Sequence, residues 1–348
     1  MKKYLLLFHF AAIISLAVSA QGKFLRQNIN AFVYSQIDSV FLTAQNGDTI
    51  YLPGGSYNIG TLIIDKNVKV FGAGHFPDST TATNPTILNG SIRLYSGASN
   101  SMLTGFYLTG DIYFGNSTAN NNATQIEILR CNVQNITLNY DYYSQNSNVS
   151  FINIKENIIR GSVLGMKAQN ILVEKNLING AIEHFGNGNL LVKNNTFLGG
   201  AGCPAFQFNN IYNSLIQNNI IMNSGACSNQ SIQTNVNSCT FQNNVFNGNF
   251  NFPYGTNIGT GNWANVSFTN FFVNETNFTI DYQSDYHIQN PTTYLGTDGT
   301  QVGIYGTTAP FKVGSLPTNP HISSKNIAPQ TNSNGDLNIQ IQVNAQNN

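Results

Sequence analysis

The chain has 348 residues, of which only 9% are charged, and its 15 basic and 15 acidic side chains cancel to a net charge of 0. So few Lys and Arg exclude the electrostatic footprint of non-specific nucleic-acid binding and make an anionic membrane surface a poor partner. The 4 Cys and 5 His show no CxxC or HxxxH spacing, so neither a metal site nor any other cofactor is expected.

In chain order, Met1-Lys2-Lys3 supplies positive charge, 4–16 is almost wholly apolar, and Ala17-Val18-Ser19-Ala20 ends in a small-x-small pattern. The apolar run is shorter than the ~20 residues a spanning helix needs. Residues 1–20 therefore read as a signal peptide. They predict a secreted, periplasmic or cell-surface chain, monomeric and without a membrane span after cleavage. Residues 21–45 read as an N-terminal cap with a short helix over 37–44, because the open apolar end of a repeat stack has to be covered. Asn46-Gly47-Asp48 then leads into a strand over 49–52, and Pro53-Gly54-Gly55 into a turn. Further strands are expected at 62–64, 68–71, 92–94 and 102–103, with a loop over 74–85.

An internal repeat dominates the middle of the chain. EILRCNVQN (127–135), INIKENIIRG (152–161), ILVEKNLING (171–180), LLVKNNTFLG (190–199), SLIQNNIIMN (214–223) and CTFQNNVFNG (239–248) align without gaps. Asn132, Asn157, Asn176, Asn195, Asn219 and Asn244 share the sixth position, spaced by 25, 19, 19, 24 and 25 residues. A period of about 22 residues matches one coil of a β-solenoid, not the 33–47 residues of the helical repeats. Leu129, Ile154, Val173, Val192, Ile216 and Phe241 form an apolar column. The next residues, Arg130, Lys155, Glu174, Lys193, Gln217 and Gln242, are all polar, and strand residues alternate between faces. The six Asn are read as a structural ladder at the bend, because Asn tolerates left-handed backbone and its amide can bond the coil above.

The runs GDTIYLPGGSYNIGTLIIDKNVKVFGAGHF (47–76) and SGASNSMLTGFYLTGDI (96–112) resemble the opening coils of the pectate-lyase-like right-handed parallel β-helix superfamily, closest to secreted members typical of Bacteroidetes. DYHIQ (285–289) and GTDGTQVGIYG (296–306) are similar to the ending of such proteins, so the likeness covers nearly all of 46–306. It implies an all-β, single-stranded right-handed parallel β-helix (solenoid) over 46–306. An N-terminal cap precedes it, and a linker with a short C-terminal strand extension over 307–348 follows. It implies no one activity, since the superfamily mixes lyases, hydrolases, esterases, epimerases, adhesins and inert members. Pro310, Pro317, Pro320 and Pro329 punctuate the linker, and the alternation over 337–343 predicts a terminal strand, either covering the edge of the last coil, the favoured reading, or serving as an attachment tail.

Cys203 and Cys227 each lie eight residues after a ladder Asn, which would stack them on adjacent coils. They are either a disulfide, within the separation one accepts, or a pair of buried thiols. Cys131 and Cys239 read as unpaired core residues. Resemblance to pectate lyases implies that a catalytic member would carry clustered acidic calcium ligands and a basic proton abstractor, and this chain departs from that pattern. Glu127, Glu156, Glu174 and Glu183 are dispersed, and Glu156 with Lys175 reads as a cross-coil ion pair. The candidate site is loop-borne. Asp141, Glu183 and His184 are the candidate catalytic groups, and Tyr140, Tyr142 and Tyr143 the candidate ligand-binding rings, since Tyr faces stack on sugars. His184, eight after Asn176, heads the column that continues to Cys203 and Cys227. His75, His287 and His321 form no pattern. The favoured function is non-catalytic binding of a polysaccharide or cell-surface glycan. The alternatives are a polysaccharide lyase or glycoside hydrolase using those acids, and a structural or adhesive surface protein.

Overall fold

The structure is a computed structural model that describes residues 23–141, 143, 146–186, 188–199, 207–222, 232, 235–248, 251–275 and 279–345. The expected signal peptide, Tyr142, Cys203 and Cys227 lie outside the described residues.

The fold is all-β and built on two long parallel sheets. Among the described residues the first has 12 strands and the second 14. The edge of the first is an antiparallel hairpin, Phe24–Gln27 with Ala31–Tyr34, laid against Asp48–Tyr51. Val68–Phe71, Met102–Thr104, Glu127–Leu129, Asn153–Lys155, Ile171–Glu174, Leu190–Lys193, Leu215–Gln217, Thr240–Gln242 and Ile258–Thr260 follow in parallel. In the second sheet the long pair Gly55–Ile64 and Thr86–Leu94 forks into two rows of short strands. Each later pass of the chain thus adds one strand to the first sheet and up to two to the second. The expected helix is present as Ile37–Leu42, with Ile37 and Val40 buried.

Register decides which columns face the core. Ile128 pairs with Ile154, and the column continues through Val173, Val192, Ile216 and Phe241, all fully buried. Leu129 pairs instead with Lys155 and lies on the opposite face. The first repeat is therefore one residue out of the gapless alignment. Its ladder position is Cys131, and Asn132 pairs with Ile158.

The ladder itself runs through Asn157, Asn176, Asn195, Asn219 and Asn244 and ends on Asn262. From Asn176 onward, each Oδ1 accepts the backbone N–H and the Nδ2 of the Asn one pass earlier, at 2.8–3.0 Å. The left-handed residue of the bend is the one before the ladder Asn. Arg130, Glu156, Lys175, Asn194, Asn218 and Asn243 all have φ between 49° and 57°. A single left-handed residue turns the strand sharply, and the following side chain is left pointing into the stack.

Cys131 substitutes for a rung. Its backbone N–H donates to Asn157 Oδ1 at 2.9 Å, and its thiol donates to Leu129 O (3.4 Å) and Leu103 O (3.7 Å). Those carbonyls correspond to Glu174 O and Ile154 O, which the Asn176 amide bonds. Burial pushes the Cys131 thiol up to about 12, so it stays protonated. Cys131→Asn is accordingly expected to extend the ladder and leave the unfolding midpoint unchanged or a few degrees higher. A urea-unfolding loss above ~1 kcal/mol would mean that Phe106 leaves the amide no room.

The expected Glu156–Lys175 pair is not the one formed. Glu156 Oε2 accepts from Arg130 Nε at 2.7 Å, while Lys175 Nζ donates to Ala309 O at 2.7 Å. The reason is the fold-back of the C-terminal third. Ile258–Thr260 is the last strand of the first sheet and Val245–Phe246 of the second, so neither sheet extends to residue 306. The chain then returns along the outside of the stack. Gly303 N donates to Asn218 O (2.8 Å), Ala309 O meets Lys175, and Leu316 O accepts from Arg130 Nη1 (3.0 Å). Phe268, Phe271, Phe272, Tyr286, Ile288, Val302, Ile304 and Phe311 form a second core over Ile158, Leu177, Ile220 and Val245. Packing continues to Leu316, past the expected start of the linker. Asp285–Ile288 pairs antiparallel with Phe272–Asn274. The terminal strand, Ile339–Asn344, pairs with His321–Ile327 and is exposed throughout, so it covers the edge of neither long sheet.

Candidate functional site

The residues singled out from the sequence do not form one centre. Asp141 Oδ1 accepts the Tyr143 backbone N–H at 2.8 Å, an Asx turn that holds its own loop. Tyr140 O accepts from Arg93 Nη1 at 2.8 Å, and the Tyr143 ring is 86% exposed. Glu183 and His184 lie on the strand Ile182–Gly186. Glu183 Oε2 accepts from Asn209 Nδ2 at 3.0 Å and stands 3.7 Å from His184 Nε2. His184 has φ 63°, and its Nδ1 lies 3.0 Å from Asn210 Nδ2. Because Ile182 pairs with Phe208, Asn210, not the equal-offset Cys203, is the next-pass neighbour of His184. Among the described residues no three His, Cys, Asp or Glu side chains converge as metal ligands.

Two features that spacing could not reveal are better formed. The first is a groove of about 350 Å³ on the outer face of the first sheet, lined by Lys69, Asn100, Gln125, Glu127, Phe151, Asn153 and Asn170, among others. The residue two or one before each strand here is left-handed: Gln125, Phe151, Asn170, Asn189, Asn213 and Ser238, with φ between 48° and 56°. Five are small or amide side chains. Phe151 is the exception, a bulky residue at φ 55° with its ring 56% exposed. An Asn there would relieve the backbone. Lys155 Nζ lies 3.6 Å from Glu127 Oε1 beside it.

The second is a buried polar cluster where the returning segment meets the stack. Tyr282 OH accepts from Asn132 Nδ2 (2.7 Å) and lies 3.0 Å from His75 Nδ1. Arg160 donates to Leu108 O (2.8 Å), Thr109 O (3.0 Å) and Asn132 Oδ1, and stacks on Tyr107 with 4.4 Å to the ring centroid. Burial, reinforced by the Arg160 charge, holds His75 down to about 3, so it is neutral. Burial likewise pushes Tyr282 up to about 12. Neutral His75 and Tyr282 thus fasten residues 207 positions apart. No local signal marks them, and Asn132 reaches them only because it lies outside the ladder.

No family model, curated protein or solved structure matches the chain. No helix among the described residues is long and apolar enough to cross a membrane.

Proposed function

We propose that the chain is an exported, single-stranded right-handed parallel β-helix of the pectate-lyase-like kind, and that it binds a neutral polysaccharide or cell-surface glycan without cleaving it. The one-to-one parallel register between successive passes and the ladder of Asn support the helical winding. The observation that carries the binding reading is Phe151, an exposed ring kept in a strained backbone amid Gln125, Asn153 and Asn170. Strain retained at an exposed position points to use. An aromatic face with amides at its edge suits a sugar ring, whose C–H face stacks and whose hydroxyls bond the amides. The groove crosses several passes, as an extended polymer requires.

The test is Phe151→Asn assayed on a glycan array and by thermal unfolding. Binding is expected to fall at least tenfold, while relief of the left-handed strain raises stability by about 1 kcal/mol. Undiminished binding would remove the groove from the reading. The catalytic alternative is read on the same polysaccharides by reducing-end and unsaturated-product assays. Turnover lost in Asp141→Asn or Glu183→Gln would replace binding with lyase or hydrolase chemistry.

A further inference from the structure

Beneath the returning segment lies a cavity of about 320 Å³ that shares no lining residue with the groove and has an apolar floor of Ile158, Leu177 and Ile304. Its walls carry five aromatic rings, Phe76, Tyr282, Tyr286, Tyr305 and Phe311. Several are fixed in place. Phe76 meets Tyr282 edge-on at 4.6 Å, Tyr305 stacks on His287 at 3.6 Å, and Tyr286 OH donates to Thr279 O at 3.2 Å. Asp78 and Asp281 stand at the exposed mouth, whereas Tyr286, Ile304 and Phe311 are buried at its depth.

The charged side chains that line this cavity are both acidic, Asp78 and Asp281. Among the described residues no Lys, Arg or His lines it, and Lys312, between Phe311 and Val313, is not part of the wall. Arg160 lies behind the wall, where its charge acts on Tyr282 and its side chain bonds Asn132, which bonds Tyr282 in turn. Among the described residues, Asp78 Oδ2 accepts from the Gln283 side-chain amide at 3.3 Å and Asp281 Oδ1 from the Gln283 backbone N–H at 2.9 Å, both uncharged donors. A neutral sugar would gain nothing from the charge of these carboxylates, and an anion would be repelled. Aromatic faces attract cations through their quadrupoles, most strongly where water is excluded. The volume lies at the lower end for small-ligand sites.

We propose that this cavity binds an organic ammonium cation, with an alkylated head among the rings and the two carboxylates at the mouth drawing it in. The probes are choline and its uncharged analogue in which carbon replaces the ammonium nitrogen, titrated calorimetrically into the full chain. Choline is expected to bind saturably and at least tenfold more tightly than the analogue. Asp78→Asn with Asp281→Asn keeps both acceptor oxygens and removes the charge. It should weaken choline at least tenfold, leave the analogue unaffected and preserve the unfolding midpoint. Equal binding of the two probes, no saturable choline binding, or indifference to the double substitution overturns the proposal. Should the double variant fail to fold, the two probes on the unaltered chain still decide. Phe151→Asn should leave choline binding unchanged, so this site and the groove stand or fall separately.

Discussion

Asn195→Ala is expected to cost about 3–5 kcal/mol and to lower the unfolding midpoint by well over ten degrees or prevent folding altogether. The Asn195 amide is fully buried. It donates to Val173 O (2.9 Å), Lys193 O (3.0 Å) and Asn219 Oδ1 (3.0 Å), and accepts from Asn176 N (2.9 Å) and Asn176 Nδ2 (3.0 Å). Truncation strands the Asn176 N–H, which has no other acceptor in the bend, and a buried orphan of this kind costs ~1–3 kcal/mol by itself. Asn195→Asp separates hydrogen bonding from packing, since it keeps the volume. Its second oxygen would face two carbonyls and the Asn219 Oδ1, so it should be worse than Ala. At the end of the ladder, Asn262→Ala removes one rung's partners from a half-buried position and should cost about 1–2 kcal/mol. Urea unfolding of the three variants ranks them. Equal losses at Asn195 and Asn262, or an Asp as stable as the native Asn, would show that the ladder does not act through its amides.

Ile220→Asp should release the returning segment. Ile220 follows a ladder Asn and would face water on a bare stack, yet it is 1% exposed beneath Gly303, where any Cβ would fall 2.4 Å from its Cδ1. A carboxylate there has no cation, and losing the isoleucine contacts alone costs ~2–5 kcal/mol. Detaching 263–316 is cheaper than burying that charge. The expected result is rapid amide exchange and proteolysis confined to 263–316, with strands such as Leu190–Lys193 still protected. Gln242→Asp, on an outward column of the first sheet, should change stability by no more than about 0.5 kcal/mol. Uniform protection in Ile220→Asp would mean that the segment contributes little to holding this face.

The inward column and the ladder were legible because both follow from local rules. A strand alternates faces, and an Asn recurring at each bend signals amide stacking. Misplacing the first rung came from reading the Asn before the pairing. Cys131 and Asn132 are adjacent, and only the bond from Cys131 N to Asn157 Oδ1 says which enters the stack. A sequence signal for the outer core did exist. Ile158-Ile159, Leu177-Ile178, Ile220-Ile221 and Val245-Phe246 are apolar doublets, and two successive apolar residues in a strand mark burial on both faces.

By itself the sequence determined the repeat, its period, the polar and apolar faces and the terminal strand, because these depend on residues a few positions apart. The tertiary structure alone decided the register of the first pass, the path of 263–316, and the meeting of His75 and of Phe76 with Tyr282. Those contacts join segments more than 200 residues apart, where no periodicity links the partners. They form because the stack leaves an apolar column that the rest of the chain must cover.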